Sequence, residues 1–345
     1  MNNKEKYKMY IKNMKKINNL KKKFILIQSY QGFGNLLFDC IIGIYLKYNF
    51  NYEIYYVNTI STHTKKGDPF ITEVFTKLNN EFIIITNEEG DYINYILNYH
   101  FLYIKSNSLK NLPNYFTKDK DKDKDKIILK PHTIYNLVFD IYDTFTLKMK
   151  QIFTVNEKII DKQILSYSKT TYATIHIRYG DKLELGIKRN NNNFITFPIY
   201  TPEYYYEQIK LIKKLKIPIV ILTDSYQVVK HFILEKYNLI SDPDIFIPNI
   251  QFIDSFYLLL YSSYVVMSHS TFSYGAYLLS KDIFKNKKRV YTFCTTKEFF
   301  TIYNPADLFI SKEWIIYENK NYILNFNQEK IKEMYEYNKK YKISN

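Results

Sequence analysis

Cysteine is scarce in this 345-residue chain, which has only Cys40 and Cys294. Two thiols cannot build a disulfide framework for a chain of this size, and neither has a Cys or His at metal-ligand spacing. Cys40 falls in an apolar helical pattern and reads as a small buried hydrophobe. Long apolar runs are also missing. The longest, residues 256–267, spans 12 positions and contains two serines, so it reads as core, not as a membrane span. The first 23 residues, MNNKEKYKMYIKNMKKINNLKKK, are basic but have no continuous apolar stretch. That excludes a signal peptide or anchor of the usual kind and leads to the expectation of a reducing, cytoplasmic setting. With hydrophobic residues at 46% and charged residues at 24%, intrinsic disorder is excluded for the bulk of the chain. A single Trp stands against 36 Tyr and 25 Phe, and the runs of Ile, Asn and Lys fit an A/T-rich genome. The formal charge of +15 comes from lysines spread along the whole chain. No Arg- or Lys-rich recognition helix stands out, so the reading is a solvated surface with no specific nucleic-acid partner. Such a field still favours the arrival of an anionic ligand.

What is present is an alternation of short apolar runs and helical patterns. Residues 1–22 form a basic tail. Phe24–Gln28 (FILIQ) reads as a buried strand, followed by a Gly-containing turn at 30–35 and a helical pattern through Leu36, Leu37, Cys40, Ile41, Ile44 and Tyr45. A second strand is expected at Glu53–Val57 and another at 82–86. Strand, helix, strand at this spacing is a βαβ unit with a parallel sheet. Residues 118–126 alternate Lys and Asp and read as a solvated low-complexity loop. Residues 140–160 are helical in pattern and read as a bridge. A second series opens at Ala173–Ile177, with helices near 202–215 and 225–236, a strand at 218–222, and a helix–strand segment at 254–267. The expected domains are 23–165 and 166–345, the latter ending in a helix.

Three segments carry chemistry. QGFGN at residues 31–35 follows a strand and opens a helix, where Gly32 and Gly34 allow close backbone approach to a ligand. Leu37 occupies the third glycine position of G-x-G-x-x-G, which argues against a dinucleotide site. Asn35 is a short amide able to reach a sugar hydroxyl or a phosphate. In IHIRYGD (175–181), His176 and Arg178 face the same way on a strand. The Arg fork suits a diphosphate, and a structural Arg–carboxylate pair is an equal alternative. SHSTFSYGAY (268–277) puts Ser268, Ser270, Thr271 and Ser273 before a helix, as a phosphate cradle or an ordinary cap. Asp254 reads as a contact to base or ribose, or as a helix cap.

In this order, QGFGNL, HIRYGD and HSTFSYGA resemble the motifs of the α-1,2-fucosyltransferases (glycosyltransferase family 11-like), within the GDP-fucose fucosyltransferase superfamily. That family has G-x-G-N-Q, H-x-R-R-G-D and N-S-T-F-S-W-W-G-A. TPEYYYEQI followed by IVILTD matches an intermediate pattern, so the resemblance runs from about Phe24 to Leu279. It departs where Tyr179 replaces the second Arg, Leu36 replaces Gln, and His269 replaces Asn. Tyr274 stands for one of the paired tryptophans, and that turn is a residue shorter.

The resemblance implies an α/β, GT-B-like fold of two facing Rossmann-like domains, the first on the acceptor side and the second binding GDP-fucose. It further implies a metal-independent, inverting transfer of L-fucose to a hydroxyl of a glycan acceptor, the 2-OH by the family's linkage. Arg178 would hold the β-phosphate and Asn35 would reach in from the first domain. His176, Asp254, Ser270, Thr271 and Phe272, with Gly32 and Gly34, would line the donor. Asp39 and Asp181 are the candidate bases. Transfer from another nucleotide-sugar and an inactive glycan- or nucleotide-binding homologue are the alternatives. The missing anchor suggests a viral or bacterial setting.

Overall fold

A computed structural model of the protein describes residues 24–28, 32–57, 69–85, 126–128, 135–190, 198–280, 290–295, 315–324 and 327–342. The basic tail and residues 118–125 of the Lys/Asp stretch lie outside the described residues. The chain divides into two compact units, Met1–Asn156 and Glu157–Asn345.

The strand IVILT is apolar at successive positions and buried along most of its length because both faces of a parallel sheet are covered. In the first unit the elements are β1 (Phe24–Gln28), α1 (Phe33–Phe50), β2 (Glu53–Val57), α2 (Ile71–Val74), a 3-10 turn (Thr76–Asn80), β3 (Ile83–Ile85), β4 (Lys126–Ile128), α3 (Tyr135–Thr144) and α4 (Thr146–Ile152). The sheet order is β3-β2-β1-β4, all parallel. Helix α1 is buried nearly all round, from Phe33 to Leu46, because it packs on β1, β2 and α3 together. It stops at Asn51, whose left-handed φ of 58° lets its N–H close on Lys47 O, the usual αL ending.

Two expectations are revised here. Lys126, the last residue of the supposed loop, opens β4 and pairs with Phe24 of β1. The helical pattern of residues 140–160 is broken between α3 and α4. There the Thr144 hydroxyl donates to Asp140 O at 2.7 Å and the Thr146 hydroxyl to Tyr142 O at 3.0 Å, a local competition that disrupts helices.

The second unit contains α5 (Lys162–Tyr167), β5 (Ala173–Ile177), α6 (Gly180–Asn190), α7 (Pro202–Lys213), β6 (Ile219–Thr223), α8 (Tyr226–Val229) continuing as a π-turn (Lys230–Glu235), β7 (Ile245–Phe246), α9 (Phe252–Tyr261), β8 (Tyr264–Val266), α10 (Thr271–Ser280), β9 (Val290–Thr295), β10 (Ile315–Glu318) and α11 (Gln328–Lys342). Its sheet runs β10-β9-β8-β5-β6-β7, again all parallel. Read from β7, these are the unit's third, second, first, fourth, fifth and sixth strands. That is the doubly wound, Rossmann order, in which ligands bind beyond the carboxyl ends of the strands where the order reverses. The first unit repeats the beginning of that order. The protein is therefore α/β, with a Rossmann-like order in each unit, as expected. The reversal in the second unit lies between β5 and β8. Among the described residues no helix is long and apolar enough to cross a membrane.

Close helix–sheet packing in the first unit depends on Gly43. A Cβ there would meet Ile27 Cδ1 at 2.9 Å and Ile54 Cδ1 at 3.5 Å. Gly43→Val is expected to overpack this seam and destabilise by about 1–3 kcal/mol, read as a lower urea midpoint with an unchanged slope.

Candidate functional site

The register of the second sheet sets up the site. Ile177 at the end of β5 pairs with Thr223 at the end of β6, which brings the next residues, Arg178 and Asp224, side by side. Asp224 then takes several donors at once. It accepts the backbone N–H of Tyr179 at 3.1 Å and of Gly180 at 3.0 Å, and the Ser225 hydroxyl at 3.3 Å. It also forms an ion pair with Arg178 Nη1. The other end of the guanidinium, Nη2, pairs with Asp181 at 2.8 Å, in the first turn of α6. Arg178 is held between two carboxylates, yet its side chain stays 31% exposed. Its orientation is set while part of its fork remains open to an incoming anion.

This arrangement explains the glycine of HIRYGD. A Cβ on Gly180 would fall onto the Asp224 carboxylate, 2.8 Å from its Cγ. Without it, the carboxylate reaches the N–H groups at the start of α6, where negative charge is favoured by the helix end. Asp224 is the residue that the motif reading left out of the site. Its signal was the Thr-Asp at the end of IVILTD. Tyr179 is not part of the open face. It is fully buried, and its hydroxyl donates to Tyr200 O at 2.9 Å. Burial pushes its pKa well up, so the phenol stays neutral.

His176, on β5, is 7% exposed. Its Nδ1 lies 2.9 Å from the Ser268 hydroxyl and in contact with that of Ser273, and the two hydroxyls are 3.4 Å apart. The ring leans on Phe272 with centroids 5.5 Å apart. Burial, and secondarily the Arg178 charge, lower its pKa to about 3. The imidazole is therefore neutral at physiological pH.

The strand β8 pairs beside β5, with Ile175 opposite Val266, so the turn at residues 268–270 runs alongside His176 and Arg178. Ser270 caps α10: its hydroxyl accepts Phe272 N–H at 3.3 Å and its carbonyl accepts Tyr274 N–H at 3.0 Å. The cap reading of Ser270 thus holds in this structure. The start of α10, from Thr271, still presents the positive end of its dipole to the crevice. His269 is brought down to about 3, first by burial and then by the Lys182 charge.

Asp254 sits in the first turn of α9 and is 6% exposed. Its Oδ1 accepts the backbone N–H of Asp161 at 3.0 Å, tying α9 to the start of α5. Burial raises its pKa above the ordinary carboxylate value. Phe256, in the same helix, meets Phe272 edge-on at 5.3 Å, which joins α9 to the turn.

The remaining predicted residues belong to the first unit. Gly32 precedes α1 with an extended φ of −62°, and a Cβ there would meet nothing within 4 Å. No strain or crowding in this structure therefore demands glycine at that position. Gly34 is buried in the first turn of α1, and Asn35 is half-buried, its Oδ1 sealed without a hydrogen-bond partner. Asp39 is buried beside Cys40. Burial and then the Asp39 charge push that thiol's pKa well up. Among the described residues no group of three or more His, Cys, Asp or Glu is placed to hold a metal ion.

No protein-family model and no curated protein matches the chain. Among solved structures, it is similar to the alpha-1,6-fucosyltransferase NodZ co-crystallised with GDP, at 15% identity and a TM-score of 0.45, covering 75% of this chain and 93% of that one. NodZ from Bradyrhizobium gives a TM-score of 0.46 at 14% identity, covering 75% of this chain and 93% of that one. POFUT1 in complex with GDP gives 0.47 at 10% identity, over 78% of this chain and 98% of that one. The E. coli heptosyltransferase WaaC with ADP gives 0.40 at 9% identity, over 91% and 99%. At this distance the site residues stand on their own geometry.

Two outcomes test that geometry. Asp224→Ala strands the N–H groups of Tyr179 and Gly180 and leaves Arg178 with Asp181 as its remaining carboxylate; a loss of about 1–3 kcal/mol is expected, read by urea denaturation. For His176, the folded pKa lies below the unfolded value of 6.5. Between those values the unfolded chain binds more protons, so stability falls as pH is lowered from about 6.5 towards 3. His176→Asn is expected to remove up to about 1.4 kcal/mol per pH unit of that slope, measured as urea midpoints from pH 7 to 4.5.

Proposed function

We propose that this chain is a glycosyltransferase that moves L-fucose from GDP-fucose to a hydroxyl of a glycan acceptor, with inversion and without a metal. The observation that carries the reading is Arg178, held half-exposed at the carboxyl end of β5, at the point where the strand order reverses and beside the N-terminus of α10. An oriented guanidinium, a neutral imidazole and a helix N-terminus form a site for a diphosphate. The ordered resemblance of QGFGNL, HIRYGD and HSTFSYGA to fucosyltransferase motifs supports GDP-fucose as the donor and the 2-OH as the acceptor position.

Cleavage of the sugar–phosphate bond leaves an oxocarbenium-like sugar and a diphosphate gaining negative charge. Arg178 stabilises that charge as it develops, with the α10 N-terminus adding its dipole. Thr271 and Phe272 border the leaving group, and Asp254 takes the ribose or base. Asn35 is the amide that the motif resemblance assigns to the donor. The acceptor proton goes to Asp39 or Asp181. Asp181 is the more exposed, with 40% of its side chain open, whereas Asp39 is 1% exposed.

Arg178→Ala is expected to lower turnover by on the order of 10²–10³-fold while leaving the far-UV circular dichroism unchanged. The measurement is calorimetric binding of GDP, GDP-fucose, GDP-mannose and UDP-sugars, with and without chelator, followed by radiolabelled fucose transfer. Chelator-insensitive binding of GDP and GDP-fucose, lost in the variant, is the expected result. A preference for a uridine nucleotide, or near-normal turnover of the variant, sinks the reading.

A further inference from the structure

The two hydroxyls that meet His176 are the least explained part of the site. Ser268 is 3% exposed, Ser273 2%, and His176 7%. Ser268 comes from the end of the β8 segment and Ser273 from α10, so two separate elements converge on one ring nitrogen, Nδ1. The other ring nitrogen, Nε2, has no hydrogen-bond partner among the described residues and is not one of the sealed polar atoms.

Donors and acceptors within the cluster decide the tautomer. A neutral imidazole has one N–H and one bare nitrogen, and each serine has one O–H. If Nδ1 is bare, Ser273 donates to it and Ser268 donates to Ser273 Oγ or to Nδ1 itself. Every buried proton then has an acceptor. If Nδ1 is protonated, three donors share two hydroxyl oxygens, and one O–H is left buried without an acceptor, because no other side-chain or backbone acceptor meets either serine hydroxyl among the described residues. Folded chains avoid that arrangement. A protonated, doubly donating imidazolium is worse still, since it adds a charge next to Arg178.

We infer that Ser268 and Ser273 are positioning residues that hold His176 as its Nε2–H tautomer, a neutral one-way hydrogen-bond donor facing the crevice. Resting on the nucleotide-diphosphate reading above, this gives His176 a specific role, in which Nε2–H is offered to an anionic oxygen of the ligand. Arg178 supplies the charge, and His176 supplies a directional contact that needs no added proton.

The test is nitrogen-15 NMR of the histidine rings in the full chain without ligand, with the His176 signals assigned by their loss in His176→Asn. The expected wild-type spectrum has Nδ1 bare and hydrogen-bonded and Nε2 carrying the proton. In Ser268→Ala/Ser273→Ala, the Nδ1 resonance is expected to move to that of an unbonded acceptor, with GDP affinity weakened about 10-fold, as for loss of one oriented hydrogen bond. Ser273→Thr, which keeps the hydroxyl, is expected to restore both. A protonated Nδ1 in the wild type overturns the inference, and so does an Nδ1 resonance unmoved in the double variant. If the double variant does not fold, the wild-type spectrum alone decides. If the NMR behaves as expected but the wild type binds no GDP, the nucleotide reading fails and the tautomer assignment stands.

Discussion

The second unit depends on one carboxylate. Asp224 accepts the Tyr179 and Gly180 N–H groups and pairs with Arg178, so it joins the end of β6 to the start of α6. Three consequences come from that one group. The turn after β5 is tied down, the first turn of α6 receives the negative charge its dipole favours, and the guanidinium is aimed. Position 180 must then lack a side chain, because a Cβ would occupy the carboxylate's space. A backbone restriction and a functional orientation thus share one physical cause.

Around this group the chain separates charge from direction. Arg178 is the half-exposed cation with its fork between Asp224 and Asp181. His176, two residues before it in β5, is buried enough to stay neutral. A cation and a neutral donor side by side avoid the repulsion that two cations would bring and still offer an anion several N–H groups. Tyr179, next to Arg178 in sequence, points the other way into a group of buried tyrosines, with its hydroxyl on Tyr200 O.

Much of this was legible in the sequence. Phe24–Gln28, Glu53–Val57 and Ala173–Ile177 form strands at the positions their sequence patterns indicate, and Ala173–Ile177 is buried at every position, as a central parallel strand covered on both faces is. Parallel βαβ order was legible for the same reason. The carboxylate pairing offered as one alternative for Arg178 is present, with Asp224 and Asp181 as its partners. What the pattern hid was β4, three residues emerging from a charged repeat, whose strand character comes from pairing with β1. It also hid the break between α3 and α4, where threonine hydroxyls take helix carbonyls.

The sequence by itself determined the α/β class, the buried strands and the residue types able to meet an anion, because periodicity and side-chain chemistry are local properties. Only the tertiary structure decided which of those residues act together. Asp224 reaches Arg178 across 46 residues, and Ser268 reaches His176 across 92. Strand register sets both meetings, and register is settled by the packing of the whole sheet, which no local pattern encodes.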